Sequence, residues 1–176
     1  MAFTAYMFVK TEKGVIKGYS GEEDKTNDGK SLSNLSRVQA FEHGIAIPPH
    51  PQTGEPQDTP QHQPVVVDFE PDCAVAELYK AMAENQRVDE VKVYFFRSGT
   101  GERAGGKPDQ LFHNWFTITL TDARIVGMEL KKASGGEDAA SVFAFMQRIT
   151  FRYRKIEWED HDDSKTAEYD WKRKAG

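Results

Sequence analysis

Only one cysteine, Cys73, occurs in the sequence, so no disulfide can form within the chain, and folding in a reducing compartment is expected. Long apolar runs are missing too. Ala5 to Val9 and Val142 to Met146 are among the longest, far short of the about 20 residues that cross a bilayer as a helix. The amino-terminal residues show no basic-then-apolar segment with a cleavage site, so leaving the cell would require a route that needs no cleaved signal. Positive charge is in deficit, with a net charge of -5, which argues against nucleic acid as a partner. No membrane insertion is expected.

Recognisable catalytic and metal-binding patterns are also lacking. Gly101 to Lys107 has the spacing of a phosphate-cradling loop. Pro108, however, stands where the metal-binding Ser or Thr belongs, and a β-rich run follows where a helix is needed. Asp160, Asp162 and Ser164 begin like a calcium loop, but Lys165 replaces the required glycine and Trp171 the bidentate glutamate. The five histidines and Cys73 show no zinc spacing. Gly-x-Ser-x-Gly is absent, and no carboxylate pair is nominated for acid and base work. A protein without cofactor, metal or catalytic site is therefore expected, not an enzyme.

What the sequence does contain is extended patterning. Ile149, Phe151 and Tyr153 alternate with Thr150, Arg152 and Arg154, the period of two of a strand with one buried face. The phase then slips to Ile156 and Trp158, which predicts a bulge or bend at Arg154 or Lys155. Residues 2 to 10 are apolar on both phases, as in a strand covered on both faces. Gly14 to Ser20 reads as a hairpin return and Gly21 to Ser36 as a polar loop. Val38 to Ile47 resumes strand character, with Phe41, His43, Ile45 and Ile47 on one phase.

Residues 48 to 64 hold six of the chain's eight prolines, which excludes a central strand or a helix. A long exposed loop is expected, and loops of this length within a domain tend to be functional or disordered. We read it as a contact arm.

Val65 to Phe69 is a short strand. A helix is expected over about residues 71 to 85, with Pro71 at its first position and Val75, Leu78, Tyr79 and Met82 as its core-facing stripe. Val88 to Arg97 is a strand, followed by a Gly-rich turn from Ser98 to Pro108. Leu111 to Leu130 reads as two strand-like pieces, with Thr121, Asp122 and Ala123 marking a turn or bulge before Ile125, Val126, Met128 and Leu130 resume. Lys131 to Asp138 reads as a loop, and Ser141 to Trp158 as a closing strand or strand pair. The class is therefore mainly β, a two-sheet barrel or sandwich with one flanking helix, in a single domain over residues 1 to 176. Glu157, Glu159, Asp160, Asp162 and Asp163 form an acidic edge, either solvated or facing a basic patch on a neighbour.

The series Glu70-Pro71-Asp72 into Leu78-Tyr79-Lys80-Ala81, Val91 to Arg97, Phe116 to Val126 and Ile149 to Trp158 resembles the haemolysin-coregulated protein (Hcp) family, the tube proteins of the type VI secretion system. The resemblance spans most of the chain and is best from Val65 to Trp171. One departure is Glu70, which precedes Pro71 where the family has Ser or Thr.

The resemblance implies a subunit that assembles in the cytoplasm into homohexameric rings. These stack into a tube, hold effector proteins in the lumen, work with spike, sheath and baseplate proteins, and leave the cell. Because the chain ends soon after Trp171, an unfused subunit is expected.

Within that frame, Pro51, Gln52, Thr53, Gly54, Glu55 and Asp58 are the expected ring-stacking residues, and Arg152, Arg154, Glu157 and Asp160 the expected subunit interface. Two further readings stand beside it. One is a monomeric β-barrel module holding a small apolar ligand among its aromatic residues, although Phe95, Phe116, Phe151 and Trp158 read better as core. The other is a hydrolase using Glu157 and Asp160 as acid and base.

Overall fold

Strand β1 (Ala2–Thr11) is the wall shared by two apolar clusters, and this explains its double-phase sequence. Ala5, Met7 and Val9 face the main core, while Tyr6 and Phe8 face a second cluster with Leu32, Leu35, Tyr94 and Phe96. The computed structural model describes residues 2–57, 59–98, 112–132 and 145–171. The Gly-rich turn beyond Ser98, including the Gly101–Pro108 run, and the 133–144 segment lie outside them.

The chain continues through β2 (Gly14–Ile16), β3 (Ser36–Glu42), β4 (Ile45–Ala46), β5 (Gln61–His62), β6 (Val65–Phe69), α1 (Ala74–Ala83), β7 (Val88–Ser98), β8 (Phe112–Lys132), β9 (Phe145–Asp160) and β10 (Lys165–Asp170). Antiparallel pairing runs β9-β6-β3-β1-β7-β8 and returns to β9 through the β8–β9 ladder, which closes a barrel. β2 is added beside β1 and β10 beside the far half of β9. The fold is thus the expected mainly β barrel with one helix. Its interior is filled by side chains, with Val65, Val67, Phe69, Ile149, Phe151 and Ile156 all fully buried. Phe95, Phe116 and Trp158 pack against this core.

Several expectations need correction. No bulge occurs at Arg154 or Lys155, because β9 keeps unbroken register there with β8 (Thr121↔Lys155, Ala123↔Tyr153) and with β10 (Asp170↔Lys155). The phase nevertheless changes on both strands at the same rung. Leu120 and Ile156 are buried on one side of it, and Ala123, Phe151 and Ile149 on the other. Asp122, lying between these positions on β8, has φ +53°, a left-handed backbone that redirects the side chains after it. The register shift itself falls on β8, between Ile125 and Gly127. β8 is one continuous strand of 21 residues, not two pieces.

Helix α1 begins three residues after Pro71, so Pro71 is not its first position. Asp72 anchors the entry instead. Its Oδ1 accepts from Ala74 N, a donor that the helix start leaves open, and its Oδ2 accepts from Tyr19 N in the segment after β2, both at 2.9 Å. The buried stripe is Ala74, Leu78 and Ala81, flanked by Val75 and Met82. Tyr79 is exposed, because the small alanines set the contact face one position round from it.

The Gly21 to Ser36 segment is not a bare polar loop either. A 3-10 turn at Leu32–Asn34 lays Leu32 and Leu35 on the outer face of β1 and β7. Asp28 pins it, accepting hydrogen bonds from Thr26, Lys30, Lys92 and Tyr94. Burial alone would raise the Asp28 carboxyl, but these four donors hold it well below the usual carboxylate range. β10, which reads as polar in sequence, completes the sheet through a six-rung ladder to β9.

Candidate functional site

Two surfaces meet along β9: the arm that leaves the barrel after β3 and returns into β6, and a charged cleft beside it. The arm is a hairpin with its own hydrogen bonds, not a formless loop. β4 and β5 pair at its base (Ile45↔His62, Ala46↔Gln61), and Pro49 and Pro56 form a bridge further out. His50 N donates to Glu55 O at 2.6 Å and Gly54 N to His50 O at 2.9 Å, closing the tip. Gly54 there has φ +71°, a conformation that favours glycine. Of the expected stacking residues, Pro51, Gln52, Thr53, Gly54 and Glu55 are exposed at this tip, while Asp58 lies outside the described residues. Ile45 and Ile47 are 47% and 53% exposed.

At the arm base, His43 Nε2 and His62 Nδ1 both meet the hydroxyl of Tyr153 on β9, at 2.7 and 2.8 Å. The single hydroxyl proton goes to one ring, so the other ring donates its N–H to the oxygen. His62 also stacks on Tyr169, with ring centroids 4.6 Å apart, and meets Trp171 edge-on at 4.8 Å.

Burial and then the neighbouring His62 push His43 below the ordinary histidine value, and burial lowers His62. The unfolded chain takes up protons near the ordinary value of 6.5, whereas the folded chain does so only at lower pH. The contribution of this contact to stability is therefore complete above that value and falls as pH drops towards the folded values. Thermal melts from about pH 7 to about pH 5 should show the loss, and His43→Gln should flatten it. Tyr153→Phe strands both ring nitrogens and should cost about 1–3 kcal/mol at neutral pH, measured by denaturant unfolding.

Beside the arm base lies an open cleft of 370 Å³, lined among others by Arg124, Arg152, Arg154, Asp122, Tyr153 and Trp171. The structure separates the four residues expected at the interface. Arg152 is exposed and sits directly across a β8–β9 rung from Arg124. Arg154 lies 3.6 Å from both Asp122 and Asp170. Glu157 lies 3.8 Å from Lys155. Asp160 closes the β9–β10 turn by accepting from Asp162 N and Asp163 N. The acidic edge is partly neutralised within the chain, because Asp162 pairs with Arg97 and His113. The phase change leaves Arg152 and Glu157 both on the solvent side of β9.

Arg124 and the histidine–tyrosine cluster escape sequence reasoning because their partners are set by register and closure, which local patterning does not carry. Among the described residues, no three His, Cys, Asp or Glu side chains gather as metal donors, and no helix is long and apolar enough to cross a membrane.

The profile of a family described as "Type VI secretion system effector, Hcp" matches residues 8–159. The "Major exported protein" of Pseudomonas aeruginosa is 27% identical over 175 residues, covering 98% of this chain and 97% of that protein. A solved structure described as "Crystal structure of Hcp protein" superposes with a TM-score of 0.79 at 26% identity, covering 97% of this chain and 98% of that one. The secreted protein Hcp3 from Pseudomonas aeruginosa gives a TM-score of 0.69 at 25% identity over 97% of this chain and 99% of that one.

Proposed function

Because the chain belongs to the Hcp family of the type VI secretion system, we propose that it is a structural, non-enzymatic subunit of the secretion tube, a single domain assembling into hexameric rings. The rings stack through the arm, hold effector proteins in their lumen, engage the spike, sheath and baseplate proteins, and leave the cytoplasm. Likeness to a relative named as a major exported protein supports the export step.

The observation that carries the reading is the arm itself. It is held by its own backbone hydrogen bonds and presents Ile45 and Ile47 to solvent, so its apolar surface is arranged for contact with another molecule. The proline content supports this, since prolines reduce the entropy lost when such a segment docks. β10, which ends the strand order among the described residues, is a second surface that assembly would cover.

Light scattering on the purified protein tests the reading. The expected particle is a ring of about six chains, as for closed homo-oligomers generally. A strict monomer at high concentration would overturn it.

A further inference from the structure

Like charges placed opposite each other on a β-ladder repel, yet Arg124 and Arg152 are direct rung partners on β8 and β9, both exposed. Arg152 makes no ion pair among the described residues, and Arg124 is bound only to the carbonyl and side-chain oxygens of Asn85. The neighbouring Arg154 has a buried Nε without a hydrogen-bond partner. Three arginines against Asp122 and Asp170, both of which lie beside Arg154, leave Arg124 and Arg152 to give the cleft a positive surplus on a chain whose net charge is -5. Tyr153 and Trp171 form its aromatic side.

A complementary patch lies on the far side of the same barrel. Glu22, Glu23 and Asp24 are consecutive, and their carboxylates make no ion pair among the described residues. They sit in the segment that packs over β1 and β7, near Tyr6, with Tyr19 67% exposed beside them. In the closed order β9-β6-β3-β1-β7-β8, β1 is diametrically opposite β9. One chain therefore cannot bring its acidic run to its own arginines.

We infer that the arginine cleft between β8 and β9 receives the Glu22–Asp24 segment of a second copy of this chain. Carboxylates there would form charge-assisted pairs with Arg124 and Arg152, and Tyr19 would meet the Trp171 side of the cleft. Two different patches on opposite sides of one subunit make a heterologous contact, which closes into a ring when the rotation between copies permits. The inference rests on the tube-subunit reading and adds to it which side of each subunit faces which.

The experiment is charge reversal read by light scattering and sedimentation at low and high salt. Arg152→Glu alone, or Glu22→Arg with Glu23→Arg, should move ring dissociation to at least about tenfold higher protein concentration. Combining all three changes should restore rings, because the reversed pair attracts again. Raised salt should weaken wild-type rings in the same direction. Folding is checked in the same samples. Arg152→Glu removes a repulsion with Arg124, so its monomer should melt no lower than the wild type. A wild-type chain that never forms rings overturns both this pairing and the tube reading. Wild-type rings that persist unchanged in Arg152→Glu, or a combined variant that stays dissociated, overturn the pairing alone.

Discussion

Replacing Phe151 by alanine should destabilise the subunit by about 3–5 kcal/mol, the range for truncating a large aromatic in a packed core, and should abolish assembly with it. Phe151 is fully buried at the point where three strands of the closed circuit meet, paired with Val65 on β6 and Ile125 on β8. A cavity there cannot collapse easily, because neighbours on both sides are held by ladders. Val65 directly follows the arm's return, so loosening this seam also loosens the arm base, two residues from the His43–Tyr153–His62 contact on β9. Denaturant unfolding gives the stability loss. Unchanged stability would mean that the barrel does not close through β6, β9 and β8 as described.

Deleting Gln52 to Asp58 should have the opposite profile. The tip side chains are exposed, and the bonds that close it, His50 to Glu55 and Gly54 to His50, lie within the hairpin. The subunit should therefore keep its stability to within about 0.5 kcal/mol, as surface changes generally do. Rings of normal size should form, while stacked tubes should disappear from electron micrographs. Normal tubes from the shortened chain would remove the arm from the stacking role, and loss of the rings themselves would place it in the contact within a ring.

Much of the barrel was legible from local periodicity, because a half-buried strand must alternate and a doubly covered one must not. Residues 2 to 10 declared two covered faces, and the structure supplies both covers. The run from Ile149 declared one inward face, and Ile149 and Phe151 are buried on it. The phase slip near Arg154 was also real, but its cause lay across the ladder. The segment from Ile149 shows only that side chains change face; the turn or bulge signal at Thr121, Asp122 and Ala123 falls where the unusual backbone lies, at Asp122, but that these two signals share one rung is set by the pairing of β8 with β9.

Leu32 and Leu35 were hidden because two leucines in a polar segment have no period, and their burial depends on Tyr94 and Phe96 far along the chain. β10 was missed because Lys165 to Asp170 is almost wholly solvent-facing and is held by backbone pairing instead of apolar burial. At the candidate site, the exposed arm tip followed directly from proline and glycine chemistry. The Arg124–Arg152 rung and the shared Tyr153 hydroxyl did not, since each requires knowing which residues stand opposite across a closed circuit.

The twice-covered β1 also constrains the order in which a newly made chain becomes usable. Its inward neighbours on β7 and its outer cover of Tyr94 and Phe96 are synthesised some ninety positions later, as the Phe3↔Arg97 rung shows, and contacts so distant in sequence form slowly. Until β7 emerges, the apolar side chains of β1 have only part of their cover, Ile16 and Val38 on the inner face and Leu32 and Leu35 on the outer one. The circuit then stays open until β9 arrives. Since β9 also carries one wall of the arginine cleft and the tyrosine that holds the arm, a chain without β9 lacks the cleft and the anchor of the arm base. In the proposed tube, completion of β9 would thus act as a timing gate for the surfaces that this strand carries.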